Sequence, residues 1–213
     1  MNALNFYLIR HAQSERNESP EIICGRSSDI GLSKLGEKQC KKLLKRLKKE
    51  KLYFDYAYSS SAKRALDTFS RTSFLSPLKI APELLELSQG DWEGYDRRSI
   101  YTDDVLEEIR VNPGNFKAPN GENQLEAADR MATYFDKILY NLDEKVRESN
   151  KPLNVGVYGH GFAFKCLFIR LFEFNAKYNR SIQMENTGIT HISFDYWDDK
   201  WTLHYLNDYS HLR

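Results

Sequence analysis

The sequence is poor in cysteine, in long apolar segments and in net charge, and each shortage excludes a class of protein. Its 213 residues include three cysteines, Cys24, Cys40 and Cys166, which are odd in number and far apart in the chain. They fit neither a disulfide framework nor a cysteine-based metal site. We therefore expect a reduced, cytoplasmic protein, because thiols stay unpaired in that compartment.

Partners such as membranes and nucleic acids are not expected either. Apolar residues occur only in short runs, so the sequence predicts no membrane-spanning helix. Residues 1–6 combine neither a basic start nor an apolar stretch, so we expect no secretory signal. Lys and Arg number 31 against 30 Asp and Glu, a net charge of +1, which provides no overall field for nucleic acid or anionic lipid.

What the chain does contain is enough apolar material for a core, arranged in alternating predicted strands and helices. Hydrophobic residues make up 41% of the sequence, and no repeat or linker divides it, so we predict one domain over residues 1–213. The predicted strands are 4–10, 54–59, 78–80, 154–158, 189–196 and 201–206. The predicted helices are 33–51, a stretch from about 61, 123–146 and 163–172. This order predicts an α/β fold: a three-layer α/β/α sandwich whose central sheet is mostly parallel, with an antiparallel strand from the C-terminal hairpin.

One segment, residues 91–121, interrupts this alternation. It is polar, rich in Tyr and Arg, and contains the turn-forming residues Pro113, Gly114, Pro119 and Gly121. An excursion of this length inside an α/β domain is typically a lid or a binding loop. We therefore expect residues 91–121 to form a lid over a site.

Two histidines lie where predicted strands end. His11 comes directly after the first strand, and His160 follows the fourth, between Gly159 and Gly161. Ligands of open α/β sheets bind outside the carboxyl ends of the strands, so the two histidines form a candidate site. The alternative is that each is a loop histidine with a structural hydrogen bond. The glycines around His160 favour a site, because they let the backbone approach a ligand closely.

Arg64 and Glu86 are further candidates. Arg64 lies near the start of the helix after the second strand, where the positive end of the helix favours an anion. Glu86 lies among apolar residues, where a carboxyl group can keep a proton and act as a general acid. The alternative for both residues is an ordinary solvated surface charge.

Seven short motifs resemble those of the histidine phosphatase superfamily, whose fold is phosphoglycerate-mutase-like. They occur in the family's order and span residues 10–187, which makes the set specific although each motif alone is weak. They read RHAQSERN at 10–17, GRSSDIGLSKLGEKQ at 25–39, SSSAKRALDT at 59–68, ELSQGDWEG at 86–94, PNGE at 119–122, GHG at 159–161 and NT at 186–187.

This resemblance implies phosphoryl transfer through a phosphohistidine at His11, with no metal ion and no cofactor. Positive side chains are needed because the transferred group spreads negative charge over its oxygens. The residues implied to be catalytic are His11, Glu86, His160, Arg10 and Arg64. The residues implied to bind the phosphate are Asn17, Arg10, Arg64, His160 and Gly161. Of these, Arg10, Arg64 and His160 are expected to be cations, and Arg10 is expected to disfavour the protonated form of His11.

Departures from the family pattern favour a phosphatase over a mutase. Phe162 and Ala163 follow the second histidine motif, and Tyr95 follows the Glu86 motif, where mutases of this family have other residues. We predict a phosphatase that hydrolyses a small phosphorylated metabolite, with Glu86 as general acid and then general base. The alternatives are a cofactor-dependent phosphoglycerate mutase, a non-catalytic module that binds a phosphorylated ligand, and a protein phosphotyrosine phosphatase.

The lid segment is expected to set substrate preference. Its side chains are predicted to reach the part of the substrate that is not phosphate, because variation in function is carried by loops. The candidates are Tyr95, Arg97, Arg98 and Tyr101.

Overall fold

The protein is described by a computed structural model that covers residues 3–73, 76–149 and 151–213. A six-stranded sheet lies at its centre. The strands are β1 (Ala3–Arg10), β2 (Tyr56–Ser59), β3 (Leu78–Ile80), β4 (Leu153–Gly159), β5 (Ile189–Asp195) and β6 (Lys200–Asp208). Their order is β3-β2-β4-β1-β5-β6, in which β3, β2, β4 and β1 are parallel. Strand β5 runs antiparallel to both β1 and β6. The predicted sheet, mostly parallel with one strand reversed, is confirmed.

Helices cover both faces of this sheet, as the sequence predicts. They are α1 (Lys34–Lys49), α2 (Lys63–Thr72), α3 (Arg97–Ile100), α4 (Asp103–Val111), α5 (Gln124–Glu148) and α6 (Gly161–Leu171). Helices α5 and α6 contribute Phe135 and Phe164 to the core on one face, where Phe135 packs against Phe6 of β1 with ring centroids 5.1 Å apart. Helices α1 and α2 contribute Leu43 and Phe69 to a second core on the other face.

The helix ends are set by local hydrogen bonds. The Ser33 hydroxyl accepts the backbone N–H of Gly36, so α1 begins directly after Ser33. Asn123 and Glu126 form a reciprocal capping box at the start of α5. The structure differs from prediction at α6, which begins at Gly161 rather than at residue 163, because Glu86 binds the free amides of its first turn.

The segment 91–121 contains helical structure that the sequence analysis did not predict. The Asp96 side chain accepts the backbone N–H of Arg98 at the start of α3, and Thr102 accepts that of Val105 at the start of α4. These caps outweigh the many turn-forming residues nearby. Across residues 3–73, 76–149 and 151–213, no helix is both long enough and apolar enough to cross a membrane.

Candidate active site

Adjacent parallel strands bring the two predicted histidines together. Arg10, the last residue of β1, pairs with Gly159, the last residue of β4. The His11 backbone N–H then donates to the Gly159 carbonyl oxygen over 2.9 Å, so His11 and His160 leave the sheet side by side. Their ring centroids are 5.2 Å apart. The expected pairing of these histidines at one edge of the sheet is what the structure contains.

His11 is held as a neutral imidazole with one defined tautomer. Its Nδ1 lies 2.8 Å from the Ala12 carbonyl oxygen, which can only accept, so Nδ1 carries the proton and Nε2 keeps a lone pair. The backbone around the ring is fixed by Asn186, whose Nδ2 donates to the His11 carbonyl oxygen over 2.9 Å. Burial holds the pKa of His11 well below its usual range, with further contributions from Arg64 and then Arg10. Burial therefore lowers the pKa of His11 more than Arg10 does, although Arg10 was the cause that the sequence indicated.

Two arginines beside His11 have groups that lack partners. The Arg64 side chain is 1% exposed, and its terminal nitrogens donate to the Ser27 carbonyl oxygen over 2.5 Å and to that of Gly25 over 3.2 Å. Arg10 donates one terminal N–H to the Met184 carbonyl oxygen. In both side chains Nε is buried and has no hydrogen-bond partner within the described residues. Because burying an unpaired donor is costly, these positions suit an anion that supplies acceptors.

Burial disfavours the cationic form of His160 that we expected. Burial, together with the charge of Arg64, holds its pKa well below its usual range, so the ring is neutral in the free site. The Ser60 hydroxyl accepts the Ala62 backbone N–H and lies 2.8 Å from Nε2 of His160, so it fixes the orientation of the ring. The Nδ1 of His160 is buried and has no partner in the described chain.

The Glu86 carboxylate is bound by backbone amides. Its Oε1 accepts the N–H groups of Leu87 over 2.9 Å and Ala163 over 2.7 Å, and its Oε2 accepts that of Phe162 over 3.2 Å. Phe162 and Ala163 are in the first turn of α6, so the Glu86 carboxyl group lies at the amino end of that helix. The amino end of α6 therefore orients Glu86 through these two amides.

A partly buried ion-pair network fixes the loop that carries Glu86. Glu122 pairs with Arg130 through two hydrogen bonds of 2.8 and 2.7 Å and with Arg26 over 3.1 Å. Arg130 donates to the carbonyl oxygens of Glu83 and Leu85, and Arg26 donates to that of Glu86 over 3.1 Å. Both cations thus bind the backbone next to the carboxyl group, so its direction is set by long-range contacts.

These groups meet in a cleft of about 330 Å³. It is lined by Arg10, His11, Asn17, Ile23, Cys24, Gly25, Arg64, Glu86, Leu87, Gln89, Arg97, Tyr101, Phe162 and Arg180. The Oδ1 of Asn17 accepts from the backbone N–H and the hydroxyl of Ser14, each over 3.1 Å, which leaves its Nδ2 as a donor toward the cleft. Four of the five residues implied to be catalytic therefore share one surface with Asn17.

Two residues expected to bind phosphate do not line this cleft. His160 is completely buried beside His11. Gly161 instead makes room for Arg10, because a Cβ at Gly161 would lie 3.2 Å from Cδ of Arg10. Their contact with phosphate stays a prediction.

The segment 91–121 contributes two side chains to the cleft. Arg97 and Tyr101 line it, whereas Tyr95 and Arg98, which we also expected to reach the substrate, are exposed and do not. Arg97 donates its Nε to the Pro20 carbonyl oxygen over 3.3 Å, which holds the side chain beside the cleft.

Sequence reasoning missed several residues of the site. Ser60 could have been found, because it lies in the SSSAKRALDT motif, but its contact with His160 joins residues that are 100 positions apart in the sequence. Arg180, Gln89 and Cys24 carry no local signal and reach the cleft only through the packing of loops. Burial raises the pKa of the Cys24 thiol, so it is not an activated nucleophile.

The charge that faces the cleft is supplied by arginines. Among the residues that the structure describes, no group of three or more His, Cys, Asp or Glu side chains is arranged to hold a metal ion.

The chain is similar to known proteins over most of its length. A sequence model of the histidine phosphatase superfamily (branch 1) matches residues 6–209. A protein named putative phosphoserine phosphatase 2 from Hydrogenobacter thermophilus is 31% identical over 211 residues, which cover 97% of each chain. A 2,3-bisphosphoglycerate-dependent phosphoglycerate mutase of Buchnera aphidicola is 32% identical over 155 residues, covering 70% of this chain and 62% of the mutase.

Solved structures with the same fold extend over nearly the whole chain. A phosphoserine phosphatase variant from Entamoeba histolytica in complex with phosphoserine superposes with a TM-score of 0.82 at 23% identity, covering 99% of this chain and all of the other. A mycobacterial glucosyl-3-phosphoglycerate phosphatase superposes with a TM-score of 0.81 at 22% identity, covering 96% and 99% of the two chains. At these identities the superpositions establish a common fold. The sequence match over residues 6–209, together with the 31% identical relative, shows that the chain belongs to branch 1 of the histidine phosphatase superfamily and is an enzyme of the histidine phosphatase type.

Proposed function

We propose that this protein hydrolyses a small phosphomonoester through a phosphohistidine at His11, without a metal ion. The observation that carries the proposal is a neutral imidazole, with its Nε2 lone pair free to attack, next to two guanidinium groups whose buried Nε atoms lack partners. A phosphate dianion supplies acceptors for both arginines and places its phosphorus beside a competent nucleophile.

The first step transfers the phosphoryl group to the enzyme. Nε2 of His11 bonds to phosphorus while the bond from phosphorus to the leaving oxygen breaks, and Glu86 gives its proton to that oxygen. Arg10 and Arg64 stabilise the charge on the oxygens of the transferred group, and the Nδ1–H of His160 adds a neutral donor. The alcohol then leaves.

The second step returns the enzyme to its starting state. A water molecule gives a proton to the Glu86 carboxylate and attacks phosphorus, the bond between phosphorus and Nε2 breaks, and inorganic phosphate leaves. Glu86 is again protonated and His11 again neutral. The amides of Leu87, Phe162 and Ala163 hold the carboxyl group in one place for both proton transfers.

Further observations support hydrolysis rather than the mutase reaction, a cytoplasmic location and a lid role for residues 91–121. The relative named a putative phosphoserine phosphatase favours hydrolysis over the mutase reaction, since its similarity covers 97% of both chains. We place the reaction in the cytoplasm, in keeping with three free cysteines. Residues 91–121 act as the lid, in keeping with the position of Arg97 and Tyr101 at the cleft.

Trapping the intermediate tests the mechanism. Rapid mixing with ³²P-labelled substrate, followed by quenching in base, should leave one acid-labile label on the peptide that contains His11. The variant His11→Ala should show neither label nor turnover, whereas His204→Gln, which changes an exposed histidine far along the chain, should retain both.

Other outcomes would contradict the proposal. Label that is stable to acid, label on another peptide, or turnover by His11→Ala would refute the phosphohistidine. Activity that is lost with EDTA and restored by Mg²⁺ would refute a metal-independent reaction. Release of 2-phosphoglycerate from 3-phosphoglycerate without inorganic phosphate would identify a mutase.

A further inference from the structure

The cleft holds more positive charge than a phosphate group needs. Four arginines line it, and the one acidic side chain among its described lining residues is Glu86, whose oxygens are occupied by backbone amides. Arg10 and Arg64 flank the nucleophile and match a phosphoryl dianion. Arg97 and Arg180 belong to other parts of the chain, the lid helix α3 and the loop after α6, and their charges are left for another part of the substrate.

The lid side of the cleft is organised before any ligand binds. The Arg97 guanidinium lies over the Tyr101 ring, 5.3 Å from its centroid, and its Nε donates to the Pro20 carbonyl oxygen. The Tyr101 hydroxyl donates to Oε1 of Gln89 over 3.0 Å, which leaves Nε2 of Gln89 as a further donor. Fixed donors lose less conformational entropy on binding than free ones.

Arg180 belongs to a segment that is anchored separately from Arg97. The preceding residue, Asn179, is fully buried and donates its Nδ2 to Oε1 of Gln124 over 2.7 Å. This buried hydrogen bond anchors the loop to the start of α5, and Arg180 extends from it to the cleft surface. The two arginines thus face one space from two separately anchored segments.

We propose that Arg97 and Arg180 form a second anion subsite, and that the substrate is a small phosphomonoester whose leaving group carries a second anionic group and no ammonium group. The subsite is a specificity element of the reaction proposed above and rests on it. Two guanidinium groups bind a carboxylate or a phosphate through paired N–H donors. An ammonium group would meet these two cations with no free carboxylate to offset the repulsion.

A series of three-carbon esters tests the charge of the leaving group at nearly constant size. We suggest n-propyl phosphate, 3-(phosphonooxy)propanoate, propane-1,3-diyl bisphosphate and 3-aminopropyl phosphate. The wild-type kcat/KM should be highest for the two esters with a second anionic group and lowest for the aminopropyl ester. The carboxylate and bisphosphate arms then distinguish which anionic group the subsite takes.

Substitution of the arginines should remove this preference. Arg97→Gln or Arg180→Gln should each lower kcat/KM for the anionic esters about 10-fold, mainly through KM, as expected for loss of one charge-assisted contact. The values for n-propyl phosphate should change less than about 3-fold, since that ester leaves the subsite empty. Arg98→Gln is the matched control, because Arg98 has the same charge, is adjacent in sequence and does not line the cleft.

Equal wild-type kcat/KM values for the propyl and the anionic esters would overturn the subsite, as would an equal loss for all four esters in Arg97→Gln and Arg180→Gln. Binding measured by calorimetry separates this failure from failure of the proposed function. If no ester is hydrolysed, the proposed function fails. The subsite is then judged by whether Arg97→Gln weakens the binding of 3-(phosphonooxy)propanoate about 10-fold and leaves that of n-propyl phosphate unchanged.

Discussion

Replacing Glu86 with Gln should slow the reaction in proportion to how much the leaving group needs a proton. The variant keeps the shape of the side chain, and its carbonyl oxygen can still accept the N–H groups of Leu87 and Ala163. Its amide nitrogen would face the N–H of Phe162, where the wild-type Oε2 accepts over 3.2 Å. One hydrogen bond is therefore lost, at a cost of about 1 kcal/mol in the free energy of unfolding.

The chemical effect should be much larger than this structural one. An alkoxide is a strong base and leaves only when protonated, so loss of the general acid should slow phosphorylation of His11 by n-propyl phosphate about 10²–10⁴-fold. p-Nitrophenolate is a weak base and leaves unaided, so phosphorylation by p-nitrophenyl phosphate should slow far less. Quenched-flow measurement of the first turnover gives both rates. A burst followed by slow turnover with the aryl ester would report the missing base in the second step.

Glu93→Gln is the matched control for this experiment. Glu93 also accepts two backbone N–H groups through Oε1, from Arg26 over 2.9 Å and Gln89 over 3.0 Å, but it does not line the cleft. It should lose stability without a dependence on the leaving group. Equal first-turnover losses for the alkyl and aryl esters in Glu86→Gln would refute proton donation and leave Glu86 a structural role.

Three further predictions concern residues that do not react with the substrate. Ser60→Ala removes the 2.8 Å hydrogen bond to His160 and should lower kcat/KM about 3- to 10-fold. The circular dichroism spectrum should not change. A variant with unchanged activity would show that Ser60 does not orient the His160 ring. Gly36→Ala places a Cβ 2.0 Å from the Gln13 carbonyl oxygen, so it should lower the free energy of unfolding by about 1–3 kcal/mol. Urea titrations measure this loss, and an unchanged urea midpoint would contradict it. Burial holds the pKa of His191 and of His211 at about 4, whereas unfolded histidine titrates near about 6.5. The unfolded chain then takes up protons that the fold does not, so stability should be complete above about pH 6.5 and fall toward pH 4, with a smaller fall in His191→Gln.

Many local features of the fold could be predicted because their physical causes are local. Strand β1 and helix α1 show their periodicities in the sequence, and Ser33 marks the start of α1 because its hydroxyl caps an amide three residues away. Helix α3 was missed because it has only four residues. Helix α4 was missed although Thr102 is a good cap and Val105, Leu106 and Ile109 have helical spacing, because the prolines and glycines that follow favoured a loop.

Site residues were predictable when they lay in motifs next to strand ends. His11 follows β1 and His160 follows β4, and the chemistry of the residue types together with the family resemblance indicated phosphoryl transfer. Local sequence does not reveal what burial does to them. Burial lowers the pKa of His160, and that burial depends on residues of several elements packed around the ring.

The sequence by itself determined the types of reactive group, the strands that deliver them and the family to which the chain belongs. The tertiary structure alone decided that β2, β4 and β1 are neighbours, which brings Ser60, His160 and His11 together across about 150 residues of chain. It also decided that the first turn of α6 binds Glu86 and that Arg180 faces the cleft. The physical reason is that hydrogen bonds and charges act over a few ångströms in space, whereas the residues that share them are separated along the chain and meet only when the cores on both faces of the sheet are packed.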